Sequence, residues 1–297
     1  MPIPKVRSTT RRVPPPTGTR NRPAAGGTYA RTEPIRPRRI RNRTFTTARP
    51  IGRLRPADHP TAHRSGTHRR HERPRHRHRC GDVAVIAADL VGPSGHVLAV
   101  DRSPEALGGA RRRLGHRQEI EFAEADLTTL DLDRQFDAIV GRAVLMHVSS
   151  PVEVLERLSR HLRPGGLMVM HEFDLTQQWT SVSTPLWDRV RTLILQTFES
   201  IGIHNTLGRD LFAAFRSAGL PDPHLTLGAP VGGGAEAPSF GWVNVLAGLL
   251  PYLEQQGIVT ADEIGIDSLT QRLTDELDAE DATLLGPLMY GAYCTVG

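Results

Sequence analysis

FDAIVGRAVLMHVSSPVEVLERLSRHLRPGGLMVMHEFD, residues 136–174, decides the fold. Phe136 to Gly141 is a short apolar run of the kind that makes a strand buried on both faces. Ser149 or Ser150 supplies the N-cap of a helix over Val152 to Leu162, which Pro164-Gly165-Gly166 terminates by the glycine-stop rule. Leu167 to His171 is the next strand. The pattern repeats upstream. Asp82 to Leu90 carries apolar residues on one helical face and ends at Val91 before a Gly-Pro-Ser-Gly turn. A strand from His96 to Val100 follows, then a helix capped by Ser103 and running through Leu114, and a short strand from Ile120 to Ala123. Strands alternating with helices of this length require parallel pairing through right-handed crossovers, so the fold class is α/β with a doubly wound, mostly parallel, Rossmann-like sheet.

Beyond Asp174 the pattern turns helical. Pro185 to Ile201, Arg209 to Ala218, Trp242 to Gln256 and an acidic, amphipathic stretch from Ile266 to Leu277 have helical periodicity, the last fitting a solvated outer face. His224 to Leu227 and Leu288 to Thr295 are late strands. The chain divides into an Arg/Pro-rich segment over residues 1–79, a nucleotide-binding core over 80–175, and a helical lid with closing strands over 176–297.

Charge divides the chain at the same place. Of 37 basic residues 22 precede Cys80, against three of the 32 acids, so 15 basic and 29 acidic residues remain, a formal charge of −14. The acidic part opposes polyanion binding by the core. Residues 1–79 have no apolar run of helical or strand period and are expected to be disordered. Their arginines read as a transit peptide or a nucleic-acid-binding arm, although the prolines oppose an amphipathic targeting helix. No apolar run reaches the roughly 18 to 20 residues a membrane span needs, since Val243 to Leu250 stops at Pro251. Two cysteines, Cys80 and Cys294, make neither a disulfide framework nor a zinc cluster, and a reducing cytoplasm is the default location.

Two acids point to the ligand. Asp101 closes the strand His96 to Val100, where a carboxylate accepts hydrogen bonds from both ribose hydroxyls of an adenosine moiety; the bland alternative is an ordinary Asp leading a helix. Asp126 lies twenty-five positions on, in an Ala-Asp-Leu step after the third strand, where a carboxylate can accept from an adenine amino group. Arg142 and Ala143 follow the strand Phe136 to Gly141 at the edge where open α/β sheets bind ligands. His147, one turn later, is a candidate general base or a structural residue. His171-Glu172-Phe173-Asp174 reach the same edge as substrate-side candidates.

Asp101, the Glu124-Ala125-Asp126-Leu127 step and the Leu-Arg-Pro-Gly-Gly turn, in this order, resemble the class I S-adenosylmethionine-dependent methyltransferases. Residues 81 to about 175 carry the likeness well and the remainder loosely. The closest kind is the bacterial small-molecule enzymes similar to quinone-biosynthesis methyltransferases. The resemblance implies S-adenosyl-L-methionine as cofactor, a cofactor-binding set of Gly81, Asp101, Arg102, Asp126, Leu127 and Arg142, His147 and His171 as candidate catalytic residues, no metal, and a small-molecule methyl acceptor at O, N or C.

The family's Asp-x-Gly-x-Gly-x-Gly loop is lacking. In its place stands Arg73-Pro74-Arg75-His76-Arg77-His78-Arg79-Cys80-Gly81-Asp82, with Gly81 alone in position. One permitted codon choice for Arg73 to Cys80, read one base later, gives Val-Leu-Asp-Ile-Gly-Thr-Gly-Ala, which with the following Gly and Asp restores the motif. The expectation is therefore that residues 1–79 are an out-of-frame translation, that the first strand is missing or degraded, that no strand lies over residues 70–79, and that cofactor binding is impaired. Two rival functions use the same features. A nicotinamide-dependent oxidoreductase shares the sheet and the ribose acid, but Lys5 is the only lysine, which excludes a Tyr-x-x-x-Lys pair. Nucleic-acid binding through the arginine-rich arm is opposed by the acidic core.

Overall fold

The computed structural model describes residues 44–48, 81–238 and 241–297. Its main sheet has seven strands in the order β3-β2-β1-β4-β5-β9-β6. These are β1 (Thr44–Ala48), β2 (Val97–Asp101), β3 (Ile120–Glu124), β4 (Phe136–Arg142), β5 (Leu162–Asp174), β6 (His224–Gly228) and β9 (Leu288–Thr295). β3, β2, β1, β4 and β5 run parallel, and β9 lies antiparallel between β5 and β6. The doubly wound architecture is as the alternation requires.

The central strand corrects the sequence reading. The slot between β2 and β4 is filled by Thr44–Ala48, with Thr44 opposite both Val97 and Ala138. An empty slot would leave two rows of backbone donors and acceptors unpaired in the middle of a sheet, and Thr-Phe-Thr-Thr-Ala is rich enough in β-branched residues to satisfy them. The expectations of a missing first strand and of disorder throughout 1–79 fail at these five residues. The rest of 1–79, including the 70–79 stretch, lies outside the described residues.

Helices α1 (Asp82–Val91) and α2 (Pro104–Leu114) cover one face of β2 and β3 through Ala84, Ala87, Ala88, Val97, Ala99, Leu114 and Ile120. Ser103 caps α2 as expected, its Oγ accepting the Ala106 N–H at 3.2 Å ahead of Pro104 at the first helical position. The opposite face carries α3 (Pro151–Ser159) and α5 (Leu207–Ser217), packed on Ile139, Met168, Met170 and Phe173, whereas α4 (Pro185–Ser200) packs against later helices. Ser150 occupies the N-cap of α3 but its side chain accepts no capping hydrogen bond, and Pro151 stands at the first helical position.

The end of α3 also differs from the reading. The helix stops at Ser159, and Leu162 to Gly166 belong to β5. Long-range pairing overrides the local glycine stop: the Phe136 N–H donates to His161 O at 2.7 Å, Gly165 N–H to Val296 O at 2.9 Å, and Val296 N–H to Gly166 O at 2.9 Å.

β6 ends and β9 begins at the edge where β5 ends, because Gly228 pairs Met289 and Leu288 pairs Asp174. The segment between them therefore leaves and re-enters the sheet at its carboxyl edge. It holds a ribbon of β7 (Val231–Gly233) and β8 (Thr283–Leu285), with α6 (Trp242–Gln255), α7 (Ala261–Ile264) and α8 (Ile266–Ala279) between. α6 runs through Pro251. α8 is not wholly solvated, since Leu269, Leu273 and Leu277 are buried on one stripe. Glu276 of α8 accepts the Leu186 and Trp187 N–H groups at 2.9 and 3.0 Å, capping the first turn of α4 from a distant helix, and Trp179 stacks on Trp242 at 3.8 Å between centroids.

Gly208 lets α5 lie directly on the end of β5. A Cβ there would sit 2.7 Å from Glu172 O and Phe173 C and 2.8 Å from Asp174 N, all backbone atoms. Gly208→Ala must push the helix outward and is predicted to lower stability by about 2 kcal/mol, seen as a lower urea midpoint with unchanged slope.

Candidate cofactor site at the carboxyl edge

The strand order reverses on either side of β1, so the ligand crevice of this sheet lies at the carboxyl ends of β1, β2 and β4. Registered residues form one row along that edge. Glu124 stands opposite Asp101, Ala48 opposite Arg142, Arg142 opposite His171, and His171 opposite Gly291.

Asp101 is half-buried, with Oδ1 accepting the Ser103 N–H at 2.8 Å. Its carbonyl accepts the Ala125 N–H at 3.2 Å, which draws the Glu124–Asp126 step against the end of β2. Asp126 is exposed, and its Oδ1 accepts the Thr128 N–H at 2.8 Å and hydroxyl at 2.7 Å. Those two bonds, with a smaller contribution from Arg102, hold its carboxyl below the usual range. Each carboxylate thus spends Oδ1 on its own loop, and among the described residues neither Oδ2 accepts a hydrogen bond. Leu127 places its side chain in the core, leaving only its backbone to serve a ligand.

Gly81 has a structural task. It sits at φ 89° before α1, and a Cβ there would come within 2.9 Å of Leu114 Cδ1 and 3.4 Å of Ala110 Cβ on α2. It is packed against a helix rather than opening a cradle. Next to it Asp82 pairs with Arg113 at 2.9 Å and lies near enough to Arg142 to favour its charge, while burial of Arg142 acts more strongly and lowers that guanidinium's pKa.

His171 is mostly buried. Burial first, then Arg142, pushes its imidazole below the ordinary value, so it is neutral at pH 7. The ring lies over β9, where a Cβ at Gly291 would meet His171 Nε2 at 2.9 Å and Thr226 Oγ1 at 2.4 Å. His147 ends a 3-10 turn, Leu145–His147, that follows β4 directly. Ala143, which leads into that turn, has φ 50°, an uncommon value for alanine.

Of the four residues at the end of β5, His171 alone is not fully buried. Phe173 is core. Asp174 is buried; burial raises its pKa, but Arg209 Nε at 2.6 Å and the Thr176 backbone and hydroxyl at 2.9 and 2.7 Å outweigh this and keep it low. Glu172 is 0 % exposed and faces inward, its Oε1 accepting the Val144 and Leu145 N–H groups at 3.0 and 2.8 Å and its Oε2 that of Met146 at 3.3 Å. The sequence reading placed it among the substrate-side candidates; it turns inward instead, because inward and outward acids at a strand end read alike in sequence. A shallow hollow lined by Ala88, Asp89, Gly92, Pro93, Arg117 and Glu119 lies at the opposite edge and takes no part. Among the described residues no helix is long and apolar enough to cross a membrane, and no cluster of three or more His, Cys, Asp or Glu is arranged to hold a metal.

Residues 80–202 match the model of a family described as a methyltransferase domain. Over these residues the chain is similar to the class I S-adenosylmethionine-dependent methyltransferases. The chain is 40% identical over 92 residues to a demethylmenaquinone methyltransferase of Clavibacter sepedonicus, covering 31% of this chain and 38% of that protein. It is 34% identical over 150 residues to an uncharacterized 37.1 kDa protein in transposon TN4556 of Streptomyces fradiae, covering 48% and 42%. The YcgJ protein of Bacillus subtilis aligns with a TM-score of 0.48 at 13% identity, over 87% of this chain and 94% of that one. The chain spans between 38% and 52% of the length of the curated relatives it matches. S-adenosylmethionine is the cofactor of such domains.

The residues fit its adenosine half, through the spare Oδ2 atoms of Asp101 and Asp126. The described residues offer no glycine cradle for its methionine half.

Glu172 gives the domain a pH signature. Burial pushes its carboxyl to about 7 despite three N–H donors. Its folded pKa is raised above the unfolded one, so between about 4.5 and 7 the folded state holds more protons and stability falls as pH rises. Across that window the stability of the wild type relative to Glu172→Gln is predicted to fall by about 3 kcal/mol, measured by urea unfolding at pH 4.5 and pH 8. A constant difference contradicts the assignment.

Proposed function

We propose that the chain transfers a methyl group from S-adenosylmethionine to a small-molecule acceptor at O, N or C, and that it binds this cofactor weakly. The observation that carries the reading is the Ala125 N–H to Asp101 carbonyl bond, which holds two acids with unspent oxygens at one sheet edge. Asp101 accepts from the ribose hydroxyls. Asp126 accepts from the adenine amino group, with the Leu127 backbone against the ring and Arg102 nearby. The backbone of Arg142 and Ala143 lines the methionine side, and Gly81 starts α1 beside it.

The cofactor supplies an electrophilic sulfonium methyl for in-line displacement. The protein's part is to align the acceptor, and positioning supplies much of the acceleration. His171, neutral at pH 7, is in the right state to take a proton from the acceptor, and His147 is the second candidate. Residues 176–297 form the acceptor-side wall, in keeping with a segment that leaves and re-enters the sheet at this edge. The formal −14 after residue 79 favours a small acceptor over a nucleic acid.

Weak binding follows from connectivity. Between Ala48 and Asp82 lie 33 residues, where a tight glycine turn would bring the backbone onto the cofactor. The family match begins at residue 80, at the composition break, which supports reading residues 1–79 as an out-of-frame translation. Calorimetry with S-adenosylhomocysteine tests both parts. The chain is expected to bind, Asp101→Ala to weaken binding by about 10- to 100-fold, and a version with the 73–80 frame restored to bind more tightly than the chain as it stands. No binding by either the chain or the restored version contradicts the assignment.

A further inference from the structure

The segment that follows β4 is held from two sides. On one side, Ala143 N–H donates to His171 O at 2.8 Å, and the next three N–H groups all donate to the Glu172 carboxyl. On the other, Met146 O accepts the His204 N–H at 3.0 Å and Val148 O bonds the His204 ring at 2.9 Å. Val144, Leu145 and Met146 are buried, so without Glu172 their donors would be left unsatisfied in apolar surroundings. A carboxyl group in the core is thus committed to the shape of one short turn. That turn begins at the positive-φ Ala143, beside Arg142 at the ligand edge, and ends at His147.

We infer that Glu172 is a positioning residue for cofactor binding: its carboxyl fixes the backbone of residues 143–147 in the conformation that presents Arg142 and Ala143 to S-adenosylmethionine. This rests on the methyltransferase reading above. Only the ionised carboxylate accepts all three N–H groups without placing a proton among them, so the turn tightens as Glu172 loses its proton. The ionisable groups around it are Arg142 on β4, His147 on the turn, His171 and Asp174 on β5, His204 and Arg209 on the α5 side, and Tyr290 opposite it on β9. Asp174 is held low and His171 is held below its ordinary value.

Two measurements on Glu172→Gln test the inference. The first is hydrogen exchange of the ligand-free protein: the amides of residues 144–146 are expected to exchange at least about tenfold faster in the variant, with those of β2 and α2 unchanged. The second is S-adenosylhomocysteine affinity between pH 6 and 8, expected to rise with pH in the wild type and to be about tenfold weaker and flat in the variant. If Glu172→Gln does not fold, Glu172→Asp, which keeps the charge and withdraws the oxygens by one methylene, carries the same two readouts. Unchanged exchange of the turn overturns the inference, as does a loosened turn with unaltered affinity and pH profile. A loosened turn in a protein whose wild type binds no S-adenosylhomocysteine at any pH sinks the cofactor reading and the inference that rests on it.

Discussion

A strand in the middle of a parallel sheet has to satisfy backbone groups on both sides, and the rest of this fold depends on that requirement being met between β2 and β4. With Thr44–Ala48 in place, the order reverses about one strand and a crevice opens at the carboxyl ends of its neighbours. Asp101, Arg142 and His171 then stand in register along one edge with no further device. The site is a consequence of strand order.

Its finer shape comes from hydrogen bonds that cross between loops. The Ala125–Asp101 bond ties the second acid's loop to the end of β2, and Glu172 ties the turn after β4 to β5. Both join segments distant in sequence. In the second case α5 lies close on the end of β5 through Gly208, and the Glu172 carboxyl turns inward to the N–H groups of Val144, Leu145 and Met146. A buried acid balanced between three N–H donors and the cost of desolvation is sensitive to pH, and it stands next to the residues proposed to meet the cofactor.

Much of this was legible in the sequence. Ser103 marked the start of α2, the apolar run before Arg142 marked β4, and Asp101 and Asp126 stand where the reading put them, after β2 and β3. Three features were not. Thr44–Ala48 is too polar and too short to read as a central parallel strand, because its partners rather than its own pattern select it. Pro164-Gly165-Gly166 obeys a local helix-stop rule, yet Gly165 and Gly166 bond Val296, more than a hundred positions away. Glu172 and His171 are neighbours on one strand, and only the packing of α5 and β9 tells the inward side chain from the outward one. Local rules found the elements; long-range pairing decided the exceptions.

The central claim is that the carboxyl edge, and no other surface of the described domain, receives the adenosyl ligand. An amide chemical-shift titration of the isotope-labelled chain with S-adenosylhomocysteine tests it most directly. The account predicts shifts at residues 101–103, 125–128 and 142–147, with the hollow around Ala88, Gly92 and Glu119 unmoved. Shifts confined to that hollow, or to the ribbon of β7 and β8, would contradict it.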